Sequence, residues 1–365
     1  MEVKYIEEAV ASGKISGDGI FTGLCQRLLE ERYGFGKVML TTSCTDALEM
    51  AALLCNISEG DEVIAPSFSF VSSVNPFVMR GAKIVFCDVR ADYPCIDEQA
   101  IEKLVTPKTK AIVVMHYAGI ACDMDVIMQI AERHGLMVIE DAAHAIDAFY
   151  KGKALGGIGD LGAFSFHETK NIIAGEGGAI VLNRASRIER AEIIREKGTN
   201  RSKFFRGEID KYSWVDIGSS FLPSEITAAF LYAQLENIDT IQAKRKELWN
   251  AYYEGLAGLM RQGLLSLPVL PSFATNNAHM FFVLARNNGE RDRLIQYLKH
   301  AGIMAIFHYV PLHSSPFFAG QYEGGPLVNT DRYADMLLRL PLYYELSTAQ
   351  VQYIVEQINA FYAGI

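Results

Sequence analysis

The sequence predicts an α/β protein, with a mostly parallel central sheet covered by helices in a large first domain and a smaller α+β domain after it. Three observations carry this. Between residues 37 and 182, short apolar runs alternate with helix-length segments, and strands spaced this way pair in parallel because each crossover must hold a helix. The runs themselves, such as Val63-Ile64-Ala65 and Ala111-Ile112-Val113-Val114, are continuously apolar, as in strands buried on both faces. From about residue 240 the order changes to a long helix followed by mixed short elements. The expected division is therefore 1–238 and 239–365, a reasonable split for 365 residues.

Taken in order, 3–11 and 22–34 have the apolar spacing of amphipathic helices. Ser16-Gly17-Asp18-Gly19-Ile20-Phe21-Thr22 between them is glycine-punctuated. It reads either as a turn with a helix cap or as a pocket lining that offers Asp18 and Phe21. Strand 37–42 runs through Ser43-Cys44-Thr45-Asp46 into a helix. Hydroxyls at a helix start serve equally as a plain N-cap or, with the free amides there, as an anion site. Next come strand 62–66, helix 71–79, strand 83–89, helix 97–104, strand 110–116, helix 123–134 and strand 136–140. Strand 178–182 and helix 186–197 follow. Residues 197–214 mix Arg201, Lys203, Arg206 and Lys211 with Phe204, Phe205, Tyr212 and Trp214 without helical period. This is either a solvated loop or a flap whose cations hold phosphates. Helix 224–235, with Glu225 in its first turn, leads to the long helix 240–260. The remainder reads as strand 280–285, helix 289–301, strand 304–308, helix 331–338 and helix 348–362.

Composition excludes several classes. Half the residues are hydrophobic and a fifth are charged, which is ordinary for a globular chain. No apolar run reaches the roughly 18 residues that span a bilayer, and the first residues lack a secretion signal, so a soluble cytoplasmic protein is expected. A net charge of −9 argues against general nucleic-acid binding. The six cysteines have no CxxC spacing, and no residue cluster has metal-like spacing, so no metal is expected.

The chemistry concentrates at two strand ends. One apolar run ends in Glu140-Asp141-Ala142-Ala143-His144, and another ends in Phe164-Ser165-Phe166-His167-Glu168-Thr169-Lys170-Asn171. In open α/β sheets ligands bind beyond the carboxyl ends of the strands. Lys170 and Asp141 together suit pyridoxal phosphate (PLP): the lysine bonds the cofactor, and the carboxylate keeps its ring nitrogen protonated. Thr45, Phe70 and His116 sit at or just after other strand ends.

These segments, with Ser43-Cys44-Thr45-Asp46-Ala47-Leu48, Pro66-Ser67-Phe68-Ser69-Phe70 and Glu176-Gly177-Gly178, resemble the DegT/DnrJ/StrS nucleotide-sugar aminotransferases over nearly the whole chain. The resemblance implies the aspartate aminotransferase-like fold (fold type I) and PLP as cofactor. It implies Lys170 and Asp141 as catalytic residues and Phe70 and Ala143 against the two ring faces. His144 would lie near the phenolic oxygen, and Thr45, Asp46 and Ser165 would hold the phosphate. A homodimer with shared sites is implied as well, where Ser220 takes the place of an asparagine common in relatives. Within the family the chain is most similar to the branch that moves the amino group of L-glutamate to C4 of a dTDP-linked 4-ketosugar. That similarity runs through His116-Tyr117-Ala118-Gly119, 195–220, Asn277-Ala278-His279-Met280-Phe281 and 307–313. It implies Asp18, Phe21, His116, Arg201, Arg206, Lys211, Tyr212, His308 and Tyr309 as substrate contacts.

Overall fold

The computed structural model describes residues 1–364. The main sheet contains β1 (Lys37–Thr41), β2 (Glu62–Pro66), β3 (Lys83–Cys87), β4 (Thr109–Met115) and β5 (Met137–Asp141). After a small hairpin of β6 (Phe149–Tyr150) and β7 (Lys153–Ala154), β8 (Leu161–Ser165) and β9 (Gly178–Leu182) complete it. The seven strands lie in the order β1-β9-β8-β5-β4-β2-β3. Only β9 runs against its neighbours β1 and β8; every other pairing is parallel. The mostly parallel sheet is thus as the sequence indicates.

Successive residues of each strand point into two separate cores. Val38 and Leu40, Ile112 and Val114 face a core shared with α1 (Glu2–Ala11), α2 (Ile20–Tyr33), α6 (Met124–His134) and α9 (Glu225–Glu236). Met39, Ala111, Val113 and Ile139 face a core shared with α3 (Cys44–Leu54), the single-turn α4 (Asn75–Val78) and α7 (Ile188–Arg195). The short α5 (Glu98–Ile101) and α8 (Arg201–Phe205) lie in the connections. Each fully buried Val, Leu or Ile contributes about 1.5–3 kcal/mol, so a charge at Val113 would break both the sheet and its covering helices.

A third core gathers around α10 (Ile238–Arg261), α11 (Asn288–His300) and, after α12 (Val328–Met336), α13 (Thr348–Ala363). It packs on a three-stranded antiparallel sheet in the order β10 (Phe281–Leu284), β12 (Leu337–Leu340), β11 (Ile306–Phe307). The ends of α13 and α11 follow from sequence: Ser347 and Gln350 form a reciprocal capping box, and Asn287 caps α11 by accepting from the Glu290 N–H.

Several elements differ from expectation. The helix expected over 71–79 is a 3-10 turn followed by α4, because Pro76 restricts how early a regular helix can begin. The helix expected over 331–338 stops at Met336, and Leu337 turns directly into β12. Leu340 precedes Pro341, which disfavours the helical region for it. The β6–β7 hairpin is too short to show a period in sequence.

Candidate active site

The carboxyl ends of β5 and β8 open onto a cavity of about 590 Å³, within the range of small-molecule sites. Thr45, Phe70, Asp141, Ala143, His144, Ser165 and Lys170 all line it, as do His308 and Tyr309 from the segment after β11. Lys170 sits on the turn between β8 and β9. That turn is closed by Phe166 N–H to Gly177 C=O (2.8 Å) and Lys170 N–H to His167 C=O (2.9 Å). Asn171 pins it from behind: its Nδ2 donates to Gln242 Oε1 of α10 and to the Asn277 carbonyl, both at 2.8 Å. Its Oδ1 accepts from His279 Nδ1 at 2.7 Å.

Burial pushes the Lys170 amine below its ordinary pKa, and the nearby Asp141 carboxylate opposes this. Burial likewise raises the Asp141 carboxyl, against two donors. Ser73 Oγ donates to Asp141 Oδ2 at 2.5 Å, and the Ala143 N–H donates to Oδ1 at 3.1 Å. These donors fix the carboxylate at the strand end.

An anion cradle adjoins this pair. Ser43 caps α3, its Oγ accepting from the Asp46 N–H at 3.0 Å, which leaves the first-turn amides of Cys44 and Thr45 at the positive end of the helix. Thr45 Oγ1 and Ser72 Oγ are bonded at 2.8 Å, and both face the cavity with Ser165. Gly178 lets β9 approach this turn: a Cβ there would lie 2.3 Å from the Ser43 carbonyl carbon. Opposite stand three imidazoles. His144 stacks on His279 with centroids 4.2 Å apart, and His308 lies 6.3 Å from His144. Burial holds all three rings well below the ordinary histidine pKa; Lys170 adds to this for each. His144 Nδ1 accepts from the Ala118 N–H at 3.3 Å, so the neutral ring carries its proton on Nε2.

Other expected site residues lie elsewhere in this chain. The Asp46 N–H is taken by the Ser43 cap, and its carboxylate accepts from the Thr42 hydroxyl. Phe21 is buried against Tyr5 and Tyr232. Asp18 accepts two bonds from Arg195 Nη2, both at 2.7 Å. The glycine-punctuated loop serves the fold: Glu225 of α9 accepts from the N–H groups of Gly19, Phe21 and Thr22 and so caps α2. His116 is fully buried, with Nε2 donating to Glu140 Oε2 at 3.0 Å and Nδ1 accepting from the Cys122 N–H. Arg201 pairs with Glu196, and Arg206 pairs with Glu192 and Glu208. Ser220, Lys211 and Tyr212 are exposed, away from the cavity wall.

Sequence reasoning missed Arg339, His279, Ser72 and Ser73. The helix expected over 331–338 stops just short of Arg339, which was given no element; the Leu340-Pro341 pair was the available signal for a strand. Ser73 follows Phe70 by three residues, in the 3-10 turn that carries it under Asp141.

An amine of lowered basicity, a strand-end carboxylate with fixed donors, an anion cradle and an aromatic face at Phe70 match what PLP requires, and the residues present fit it. Fold and site define a PLP-dependent transferase of fold type I. The model of the DegT/DnrJ/EryC1/StrS aminotransferase family matches residues 1–359, and the chain belongs to that family; it is a PLP-dependent sugar aminotransferase. Among solved structures, DesV of S. venezuelae is 31% identical with a TM-score of 0.90, over 99% of this chain and 94% of that one. An aminotransferase from Psychrobacter cryohalolentis is 26% identical with a TM-score of 0.94, over 100% and 97%. Spr1654 from Streptococcus pneumoniae in its PMP form is 25% identical with a TM-score of 0.93, over 100% and 96%, and the same protein is also known in a PLP form.

Proposed function

We propose that the enzyme moves the amino group of L-glutamate to C4 of dTDP-4-dehydro-6-deoxy-glucose, giving dTDP-4-amino-4,6-dideoxy-galactose and 2-oxoglutarate. The observation that carries amino transfer is the meeting of Lys170 and Asp141 in one cavity beside an anion cradle. The choice of sugar rests on the similarity of 116–119, 195–220, 277–281 and 307–313 to dTDP-4-amino-4,6-dideoxygalactose transaminase.

Bound PLP supplies an electron sink for the carbon that loses or gains nitrogen. Lys170 holds the cofactor and, as a neutral amine, moves the proton at that carbon. Burial lowers its pKa, which favours the neutral form that such a transfer needs. Asp141, oriented by Ser73 and Ala143, would hold a proton at the ring nitrogen. Phe70 and Ala143 would bracket the ring. The Nε2–H of His144 is the donor available to the phenolic oxygen. Thr45, Ser165 and the α3 amides would take the phosphate. Lys170 would reach the sugar from one face, so one C4 epimer forms; the galacto amine is the one the resemblance implies.

The aromatic and basic loop at 197–214 does not line the cavity of its own chain. Phe205, Tyr212, Trp214 and Val215 are nonetheless exposed, Trp214 by 80%, as befits a surface that a second copy covers. In a homodimer, Arg201, Arg206 and Lys211 would grip the diphosphate in the partner's site, and Ser220 would reach the partner's cofactor phosphate. The test is a product assay with glutamate and the dTDP-ketosugar, read by NMR. An axial C4 amine is expected. An equatorial C4 amine, a C3 amine, or activity only on a UDP- or GDP-linked sugar would overturn the substrate assignment.

A further inference from the structure

His279 stands just ahead of β10 and lines the cavity that holds Lys170. It is tied to the lysine turn itself, with its Nδ1 2.7 Å from Asn171 Oδ1. The hydrogen in that bond can be placed. Asn171 Nδ2 lies 2.8 Å from the Asn277 carbonyl, and a carbonyl only accepts. The amide oxygen therefore faces His279, and Nδ1 carries the hydrogen. Burial holds the ring well below the ordinary histidine pKa. The ring is neutral, and its Nε2 is a bare lone pair. None of the described residues donates to that atom, which is open to the cavity.

The two other imidazoles of the cavity are wired the opposite way. His144 Nδ1 accepts from the Ala118 N–H. Tyr117 is fully buried, and its hydroxyl has one partner among the described residues, His308 Nδ1 at 2.8 Å. The hydroxyl hydrogen goes there, because a buried donor without an acceptor is costly. Both rings are also neutral, so each presents an N–H at Nε2. Of the three, His279 alone offers an acceptor.

A lone pair selects its ligand by sign. It repels the oxygens of a phosphate or a carboxylate and takes a hydrogen-bond donor. Asn171 follows Lys170 in the chain, so the ligand atom that meets His279 belongs close to the reacting carbon. In the glutamate half-reaction that carbon bears a nitrogen committed to the cofactor, a carboxylate, and a side chain ending in a second carboxylate. None of these is a free donor. In the sugar half-reaction the carbon beside the carbonyl bears a hydroxyl. We infer that His279 Nε2 accepts a hydrogen bond from this hydroxyl, and that the enzyme selects ketosugars hydroxylated next to the carbonyl. For a 4-ketosugar the group is the C3 hydroxyl. The inference rests on the ketosugar reading of the acceptor and not on its nucleotide.

The test is a titration of the enzyme loaded with pyridoxamine phosphate, following return of the visible band with dTDP-4-dehydro-6-deoxy-glucose and with its 3-deoxy counterpart. Wild type should need about 10-fold more of the 3-deoxy sugar, as for one lost hydrogen bond. Two substitutions separate the two ring nitrogens. Asparagine reaches as far as Nδ1 and keeps the bond to Asn171, whereas glutamine reaches as far as Nε2 and restores an acceptor there. His279→Asn should raise the midpoint of the 3-hydroxy sugar by about 10-fold and leave that of the 3-deoxy sugar unchanged, since the two losses are one interaction. His279→Gln should recover most of the difference. Glutamate bleaching of the PLP form should match wild type in both variants. The inference is overturned if wild type takes both sugars equally, or if the asparagine variant outperforms the glutamine one, which would make His279 an anchor for the turn. It is also overturned if glutamate bleaching slows in step with the sugar, which would give the lone pair to Lys170. If neither dTDP sugar returns the band in wild type, the substrate assignment falls instead, and the same pattern is required of the UDP- or GDP-linked pair that does.

Discussion

On the main-sheet side of the site the polar groups arrive with partners. Asp141 has Ser73 and Ala143, Thr45 has Ser72, and the Lys170 turn is bolted to α10 through Asn171. On the three-stranded-sheet side His308 has Tyr117, but Arg339 has none among the described residues. A wall satisfied in advance suits a cofactor that stays through every turnover, since preorganised groups need no rearrangement. A wall with an open cation suits a ligand that arrives and leaves. Substitutions in the first wall should therefore harm both half-reactions, and substitutions in the second should change which substrates are accepted.

The sharpest test of the first wall is Lys170→Ala. Turnover should fall by about 10⁴-fold or more, because covalent attachment and proton transfer are lost together. Near-normal product formation would break the comparison at its base. Asp141→Asn comes next. The variant should keep its cofactor through dialysis, since Thr45, Ser165 and α3 remain, yet lose activity by roughly 10²–10³-fold, as for removal of one preorganised electrostatic group. Both half-reactions should slow alike; an effect confined to one would place Asp141 in substrate binding.

The loop at 197–214 extends the comparison to a third region. Arg201 and Arg206 are already paired with Glu196, Glu192 and Glu208. The Arg206 pairs are open to solvent and weak, so an incoming diphosphate can take that arginine from them; Glu196 is buried, so Arg201 is the harder of the two to draw away. Arg201→Ala and Arg206→Ala should each raise the KM for the nucleotide sugar by about 10-fold and leave glutamate bleaching unchanged. Loss of bleaching would show that the loop shapes the cofactor site instead.

The main-sheet wall was legible because strand ends and turn residues there follow one another in the chain. Apolar runs ending at Asp141 and at Ser165 put both on one edge of a parallel sheet, so convergence followed from topology alone. The other wall joins residues far apart in sequence, His279, His308 and Arg339, whose meeting depends on how three short strands pair. Arg339 sits in a run, Met336-Leu337-Leu338-Arg339-Leu340, that is as apolar at helical spacing as at strand spacing. Asp18, Phe21 and His116 show the converse: their residue types suit a pocket, but partners distant in sequence (Arg195, Tyr232 and Glu140) hold them in the framework.

The imidazole stack gives the smallest effect, in stability and not in rate. His144, His279 and His308 are held neutral in the folded protein, each with its pKa lowered by burial. In the unfolded chain each titrates near 6.5. Below that pH the unfolded state binds more protons than the folded one, so stability is full above about pH 6.5 and declines as the pH falls below it. The slope is up to about 1.4 kcal/mol per pH unit for each imidazole. Urea midpoints measured at a fixed PLP concentration should drop between pH 7 and 5.5. The His144→Gln, His279→Gln double variant should flatten that drop, since amides do not titrate. An unchanged slope in the double variant would assign the acid sensitivity to the carboxylates and remove the stack as its source.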